Sequence, residues 1–509
     1  MTMFDDLPKP PKGWPQRQAG VSLCMIVRDE ERFLEEALAS VEGVVEEICI
    51  VDTGSKDKTL DIARNAGARV QEIVWENDFS KARNVALAMA TRRWILVLDA
   101  DERLSPRSQD LVRALGSQAA HLTGLWTRIY NFTEDYKGTG AMSNILVRFF
   151  PNSERIRYRN PIHEFVSLDG NETGMPAKTS PIEIIHFGYR GDVMVERSKY
   201  ERNMQIAEQA LRENPDDAVN WYNYGTSAML AESKTLAISA LERMRELVRD
   251  RVRARGDGRA QSFAPNGLCL LAGLYLKDPG GIERAKASIA EALEYAPALA
   301  DAHFILGKCF VAQRRFAEAR EAYAAAIEDG KEAHRHPLVD NEVFLWKAHS
   351  EIGATLMEEG GYELAIKWFD LALSVRPKVQ PVRLNRARAL EKLRRLDEAE
   401  AALAEVWGDD KDELSADEYL NLLLRRGKDS RALEFIDANA PGLPPEFRII
   451  MYGSAAAIAS RAGLPGMERY LELAENIEGI EHHHARLHGL LKHFGETPVL
   501  ELLERKMEA

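Results

Sequence analysis

The sequence predicts an α/β domain with a mainly parallel sheet, followed by an all-α array of repeated helix pairs. Three observations carry this. From Val21 to about Tyr189, short apolar runs alternate with helical stretches; beyond Arg197 the strand patterns stop; and small residues then recur at fixed spacing. At roughly 100–200 residues per domain, 509 residues call for two or three units, and 45% hydrophobic content excludes wholesale disorder.

In the first part, VSLCMIV is a continuous apolar strand and RFLEEALASV a helix. EICIVD is a second strand, followed by the helix KTLDIARNAG with its C-terminal glycine. ARVQEIVW is a third strand, ARNVALAMAT a helix, and WILVLDA a fourth strand. Such alternation implies parallel strands covered by helices on both faces. Ligands of such sheets lie beyond the strands' carboxyl ends, where the strand order reverses.

In the second part, Gly273, Gly307 and Gly353 are followed twelve positions later by Ala285, Ala319 and Ala365. Ile289, Tyr323 and Phe369 come next, then Ala292, Ala326 and Ala372, with Pro297 and Pro377 closing two copies. Gly225 with Ala237 fits the same frame, and Ala387 with Ala399 fits it loosely. The pattern resembles the tetratricopeptide repeat, whose small residues let paired helices pack closely. Stretches 249–263 and 331–345 interrupt the spacing as insertions, expected to lengthen helices or form loops. The expected organisation is an irregular lead-in over 1–20, a sheet domain over 21–195, repeats over 196–413, and divergent helices or a cap over 414–509.

A net charge of −13 argues against coating nucleic acid, which needs a basic face. Cys24, Cys49, Cys269 and Cys309 show no metal-ligand spacing, and Cys24 and Cys49 lie in apolar runs as buried, reduced thiols. The proline-rich start, with Asp5 and Asp6, lacks the pattern of a signal peptide, and no apolar run reaches the roughly 18–20 residues that span a bilayer. A cytoplasmic location is expected. The run Glu481-His482-His483-His484 puts consecutive imidazoles about 100° apart on a helix, so no metal site is assigned there.

Chemistry concentrates at strand ends. Trp94–Val97 leads into Leu98-Asp99-Ala100-Asp101-Glu102, with two carboxylates at i and i+2 on one side of an extended segment. Hard oxygen ligands at the mouth of a parallel sheet suit Mg²⁺ or Mn²⁺, which can neutralise a leaving diphosphate. Asp52 ends the second strand, where a carboxylate can accept hydrogen bonds from a base or ribose. Asp57 is read as a helix cap, whereas Asp29 or Glu30 either contacts the nucleotide or caps the next helix.

MIVRDEE, IVDTGSKDKT, NDFSKARN and ILVLDADE, in this order, resemble the family 2 glycosyltransferases, with their Rossmann-like GT-A fold, and specifically the subgroup fused to tetratricopeptide repeats. The resemblance implies transfer of a sugar from a nucleotide-diphosphate donor, with inversion and a divalent metal. It places Asp52 and Glu30 at the nucleoside, and Asp99 and Asp101 in the family's DxD motif, with Asp101 the firmer metal ligand. Lys81, Arg83 and Asn84 fall in the segment beside the nucleotide, where Arg83 reaches a phosphate or base. Arg28-Asp29 stands where the family commonly has Lys-Asn.

An inverting transfer also needs an acceptor-side base, and Glu164 in Arg159-Asn160-Pro161-Ile162-His163-Glu164-Phe165 is the candidate, the alternative being a structural salt bridge. The related subgroup carries a His-Glu pair at this place. His186, at the end of another apolar strand, is a candidate third metal ligand or a core histidine, with His163 as its substitute. Arg148, Arg155, Arg157 and Arg159 form a basic cluster that could meet the donor diphosphate or an anionic acceptor.

Together these features describe a metal-dependent inverting glycosyltransferase using a nucleotide sugar, a UDP-sugar being expected. Its acceptor would be a peptide or protein held by the repeats, and a dimer is compatible with this. The alternatives are a saccharide or lipid-linked acceptor, or a repeat scaffold with an inactive catalytic domain. A nucleotidyltransferase would carry a glycine- and lysine-rich phosphate loop, and VSLCMIVRDEERF has none.

Overall fold

The computed structural model describes residues 17–119, 122–131, 143–171, 174–187, 193–255, 260–330, 342–477 and residue 499. The chain falls into two compact units, Met1–Ala348 and His349–Ala509. The sheet and the helices that follow it up to residue 330 lie in the first unit.

The first four strands are β1 (Gln18–Val27), β2 (Glu47–Asp52), β3 (Arg69–Glu72) and β4 (Arg92–Val97). They alternate with α1 (Leu34–Ala39), α2 (Thr59–Asn65) and α3 (Phe79–Met89). Then come β5 (Glu102–Leu104), α4 (Pro106–Ser117), β6 (Gly124–Asn131), β7 (Ser143–Pro151), β8 (Ile156–Arg159), β9 (Phe165–Leu168) and β10 (Ala177–His186). Eight strands form one sheet in the order β3-β2-β1-β4-β7-β6-β10-β5, and β8-β9 is a separate hairpin. β1 pairs parallel with β2 and β4, β2 with β3, and β6 with β10; β7 and β5 enter antiparallel.

The central strands β1, β2 and β4 are buried on both faces over most of their length, which explains their apolar runs. Val21, Leu23, Met25 and Val27 point into a core shared with α1 and α4. Cys24 and Cys49 point the other way, into a core with α3 and the β8-β9 hairpin. All four cysteines are free and buried. The sequence order turns back at β1, which lies between β2 and β4, so the crevice opens beyond Val27 and Val97.

The sheet is followed by α5 (Val193–Glu213), α6 (Ala218–Leu230), α7 (Lys234–Arg255), α8 (Ala260–Leu276), α9 (Ile282–Tyr295), α10 (Ala300–Ala312) and α11 (Phe316–Gly330). The second unit carries most of α12 (Ala348–Glu358), then α13 (Tyr362–Val375), α14 (Gln380–Lys392), α15 (Leu396–Asp410), α16 (Glu413–Arg425), α17 (Asp429–Asn439), α18 (Pro445–Ala462) and α19 (Met467–Glu475). The repeat frame has a steric basis. A Cβ on Gly353 would stand 2.6 Å from Phe369 Cε1, and one on Gly225 2.8 Å from Leu241 Cγ, whereas Gly273 faces open space. The insertion at 249–263 lengthens α7 and α8 where it is described, and a π-helical turn occupies Val343–Lys347. Residues 256–259, 331–341 and the histidine run at 482–484 lie outside the described residues. Among the described residues, no helix is long and apolar enough to cross a membrane.

Candidate active site

The loops after β1 and β2 are stitched together at the crevice. Asp29 N–H donates to Ser55 Oγ (3.0 Å), and Lys56 N–H donates back to Asp29 Oδ1 (2.7 Å). Glu31 N–H donates to Asp57 Oδ2 (3.0 Å), and Lys58 N–H to Glu31 Oε2 (3.1 Å). Asp57, expected as the helix cap, lies one residue before the N-cap Lys58 and accepts from Thr59 N–H at the start of α2 (3.0 Å). Asp52 is buried and holds its own loop: Oδ2 accepts from the N–H groups of Gly54 (2.9 Å) and Ser55 (3.0 Å), and Oδ1 from the Ser55 hydroxyl. Gly54 has φ 111, which only glycine adopts without strain. Glu30 N–H donates to Thr59 Oγ1 (2.7 Å), fixing its position at the rim. Burial, then the Asp101 and Asp99 charges, push the Glu30 carboxyl up to about 7.

Beyond β4 the Asp-x-Asp turn is locked by a buried charge network. Arg83, from the second turn of α3, donates through Nη2 to Asp99 Oδ1 (2.8 Å) and through Nε to Glu164 Oε1 (2.6 Å). Arg148, from β7, donates through Nη2 to Asp99 Oδ2 (2.7 Å) and Glu102 Oε1 (2.9 Å). Glu102 Oε2 closes the turn by accepting the Asp99 N–H (2.9 Å). Against the upward push of burial, Arg148 and Arg83 hold the Asp99 carboxyl well below the usual carboxylate range. Burial raises Glu102 despite Arg148. The Tyr158 ring lies under the Arg83 guanidinium, 5.5 Å away, and burial pushes its phenol up to about 12.

Asp101 turns to the other side. Its Oδ2 lies 3.1 Å from His186 Nε2, because β10 pairs with β5 in a register that sets His186 opposite Glu102. Burial favours the neutral ring, but the Asp101 carboxylate raises His186 above its ordinary value.

The expected triad of metal ligands therefore does not converge. Asp101 and His186 meet, but each oxygen of Asp99 faces a guanidinium. Among the described residues, no group of three or more His, Cys, Asp or Glu side chains is arranged to hold a metal ion. Asp101 and His186 together fit two positions of an open coordination shell completed by a ligand, while the chemistry around Asp99 does not. Lys81 also stands apart: its ammonium pairs with Glu76 (2.8 Å) on the exposed side of α3. His163 is exposed and in the left-handed region (φ 50), like Asn160 (φ 74). The two bend the hairpin tip that delivers Glu164. Asn84 acts structurally, exchanging two hydrogen bonds with the Tyr158 main chain (2.9 and 2.8 Å). Of the four clustered arginines only Arg148 enters this network. Glu102 was missed by sequence reading; its signal was a third acid directly following the Asp-x-Asp.

Residues 22–171 match Glycosyl transferase family 2, and residues 270–334 and 356–425 match tetratricopeptide repeat families. A TPR repeat-containing protein of Synechococcus elongatus is 40% identical over 206 residues, covering 39% of this chain and 50% of its own. The SPbeta prophage-derived glycosyltransferase SunS of Bacillus subtilis is 25% identical over 225 residues, 44% of this chain and 52% of its own. An uncharacterized glycosyltransferase of Rickettsia typhi is 34% identical over 90 residues, 18% of this chain and 30% of its own. The chain thus spans about half the length of the first two relatives and less of the third.

Proposed function

We propose, from the premise that this chain joins a family 2 glycosyltransferase domain to tetratricopeptide repeats, that it is a metal-dependent inverting glycosyltransferase acting on a polypeptide. The donor is a nucleotide-diphosphate sugar, with UDP-sugars to be tested first. The carrying observation is the chain Asp99–Arg83–Glu164, in which the buried Arg83 guanidinium ties the Asp-x-Asp turn to the carboxylate at the hairpin tip.

Asp101 and His186 would hold Mn²⁺ or Mg²⁺. When bound, that ion supplies Lewis-acid charge against the departing diphosphate. Asp99 has a different task, fixing the two guanidiniums. Arg83 supplies positive charge behind the turn, and its Nη1 is buried without a hydrogen-bond partner among the described residues. Glu30 and Asp52 border the nucleoside side.

Glu164 spends Oε1 on Arg83, and Oε2 takes the acceptor proton. The acceptor heteroatom bonds to the anomeric carbon as the bond from that carbon to the diphosphate oxygen breaks, with inversion. The repeats, as a family of peptide-holding helix pairs, support a polypeptide acceptor. Four buried free thiols support a reducing, cytoplasmic setting.

The test is a thermal-shift screen of nucleotide sugars with Mn²⁺, followed by donor hydrolysis by wild type and Asp101→Ala. Stabilisation by one donor and metal-dependent turnover lost in the variant are expected. If no nucleotide sugar stabilises the protein and nothing is hydrolysed, the reading fails. In Glu164→Gln, donor binding should persist while transfer falls by about 10²–10⁴; lost donor binding would make Glu164 structural.

A further inference from the structure

Three arginines of the sequence cluster remain outside the catalytic network. β8 alternates: Ile156 and Tyr158 are buried on the side of α3, so Arg155, Arg157 and Arg159 share the opposite face. They line a groove of about 640 Å³ with Ser80, Asn160 and Ser167. Arg155 is neutralised by Asp169, its Nε donating to Oδ1 at 2.6 Å.

Arg157 and Arg159 are engaged differently. Arg157 Nη1 donates to the carbonyls of Ile156 (2.8 Å) and Ser153 (3.3 Å), and Arg159 Nη1 to that of Gly170 (2.9 Å). Carbonyls satisfy N–H groups but leave the charge standing. Among the described residues, no carboxylate forms an ion pair with either guanidinium, in a chain whose net charge is −13. Asn160 Nδ2, at the tip end of the groove, is buried with no hydrogen-bond partner among the described residues. Two uncompensated cations thus line one groove, with an unsatisfied buried donor at its tip end.

We infer that this groove docks an extended acidic segment of the polypeptide acceptor. The inference rests on the glycosyltransferase reading and adds a substrate class to it. Residues two apart on a strand stand about 6.6 Å apart on one face, the same interval that separates alternate side chains of an extended peptide. Acidic residues at every second position therefore meet Arg157 and Arg159 in register, with a carboxylate for each fork. The exposed Glu154 at the far end of the groove disfavours a nucleic-acid backbone, whose charge is continuous. The groove also leads to the chemistry. Ser80 lies one turn before Arg83 on α3, and the chain passes from Arg159 round the tip to Glu164.

The experiment uses the full chain and fluorescein-labelled hexaglutamate and hexaglutamine, read by fluorescence anisotropy at low and high salt. Hexaglutamate should bind, weaken as salt rises, and lose at least tenfold in affinity in Arg157→Gln/Arg159→Gln, while hexaglutamine stays unbound. Thermal stability and donor hydrolysis of that variant should equal wild type. The inference is overturned if hexaglutamate does not bind, or binds wild type and variant alike. Reduced donor affinity in the variant would overturn it too, by giving these arginines to the diphosphate. Absence of donor turnover in wild type would instead sink the enzyme reading, and the peptide titration would still report on the groove.

Discussion

Replacing Arg148 by Met tests whether the network holds the Asp-x-Asp turn. The Arg148 and Glu102 side chains are 7% and 4% exposed, and one Nη2 serves both Glu102 and Asp99. Arg148→Met therefore strands a carboxylate in the interior and removes one of the two cations on Asp99. Breaking a buried pair from one side costs about 3–5 kcal/mol. At about 2–4 °C per kcal/mol for a domain of this size, the melting temperature should fall by about 6–20 °C at pH 8. Glu102 can escape by taking up a proton, since burial already raises its carboxyl. A raised acid stays protonated in the fold when the unfolded chain has ionised, so stability falls as pH rises above the ordinary glutamate value. The loss should therefore be smaller at pH 5 than at pH 8. Adding Glu102→Gln removes the stranded charge and should restore most of the lost stability. The assay is calorimetric melting of wild type, both single variants and the double variant at both pH values. A melting temperature within about 2 °C of wild type at pH 8, or strictly additive effects, would refute the argument.

Other perturbations reach different parts of the molecule. Glu30→Gln should match wild type in thermal stability near pH 5 and exceed it increasingly toward pH 8. The native carboxyl, at about 7, keeps a proton that the unfolded chain releases, so ionisation weighs against the fold only in wild type. Equal melting profiles across that range would contradict the clustering of Glu30 with Asp101 and Asp99. Asn84→Ala leaves the Tyr158 N–H and C=O unpaired and should cost about 2–4 kcal/mol in urea unfolding, more than an exposed asparagine elsewhere. Gly353→Val forces the Phe369 ring to move and should lower the stability of the second unit by about 1–3 kcal/mol, while Gly273→Ala, with open space around it, should be nearly silent in the same denaturation assay.

The central parallel strands β1, β2 and β4 were legible because they are buried on both faces and so read as apolar runs, as in Leu23–Val27 and Cys49–Val51. The repeat frame was legible for a steric reason, Gly353 needing the space that Phe369 occupies. The antiparallel additions were not: β5 spans only Glu102–Leu104, and β8 alternates arginines with apolar residues in a pattern equally suited to a surface loop. Within the site, the sequence pointed to the carboxylates but not to what they face. Asp99 reads as a metal ligand until Arg83 and Arg148, 16 and 49 positions away, are placed on its two oxygens. Only the pairing of β10 with β5 brings His186 to Asp101.

The hairpin tip has a neighbour that is not part of the sheet. Ile162, two residues before Glu164, packs against Ile206 and Ala207 of α5, and Asn223 of α6 donates to its carbonyl at 3.5 Å. The wall behind the proposed base thus comes from helices that begin after the sheet is complete. A fragment ending at His186 would retain every acid and arginine of the active-site network and still lose the support under Glu164. Transplanting the sheet onto a different repeat array would carry the donor side intact and leave the acceptor side to be rebuilt.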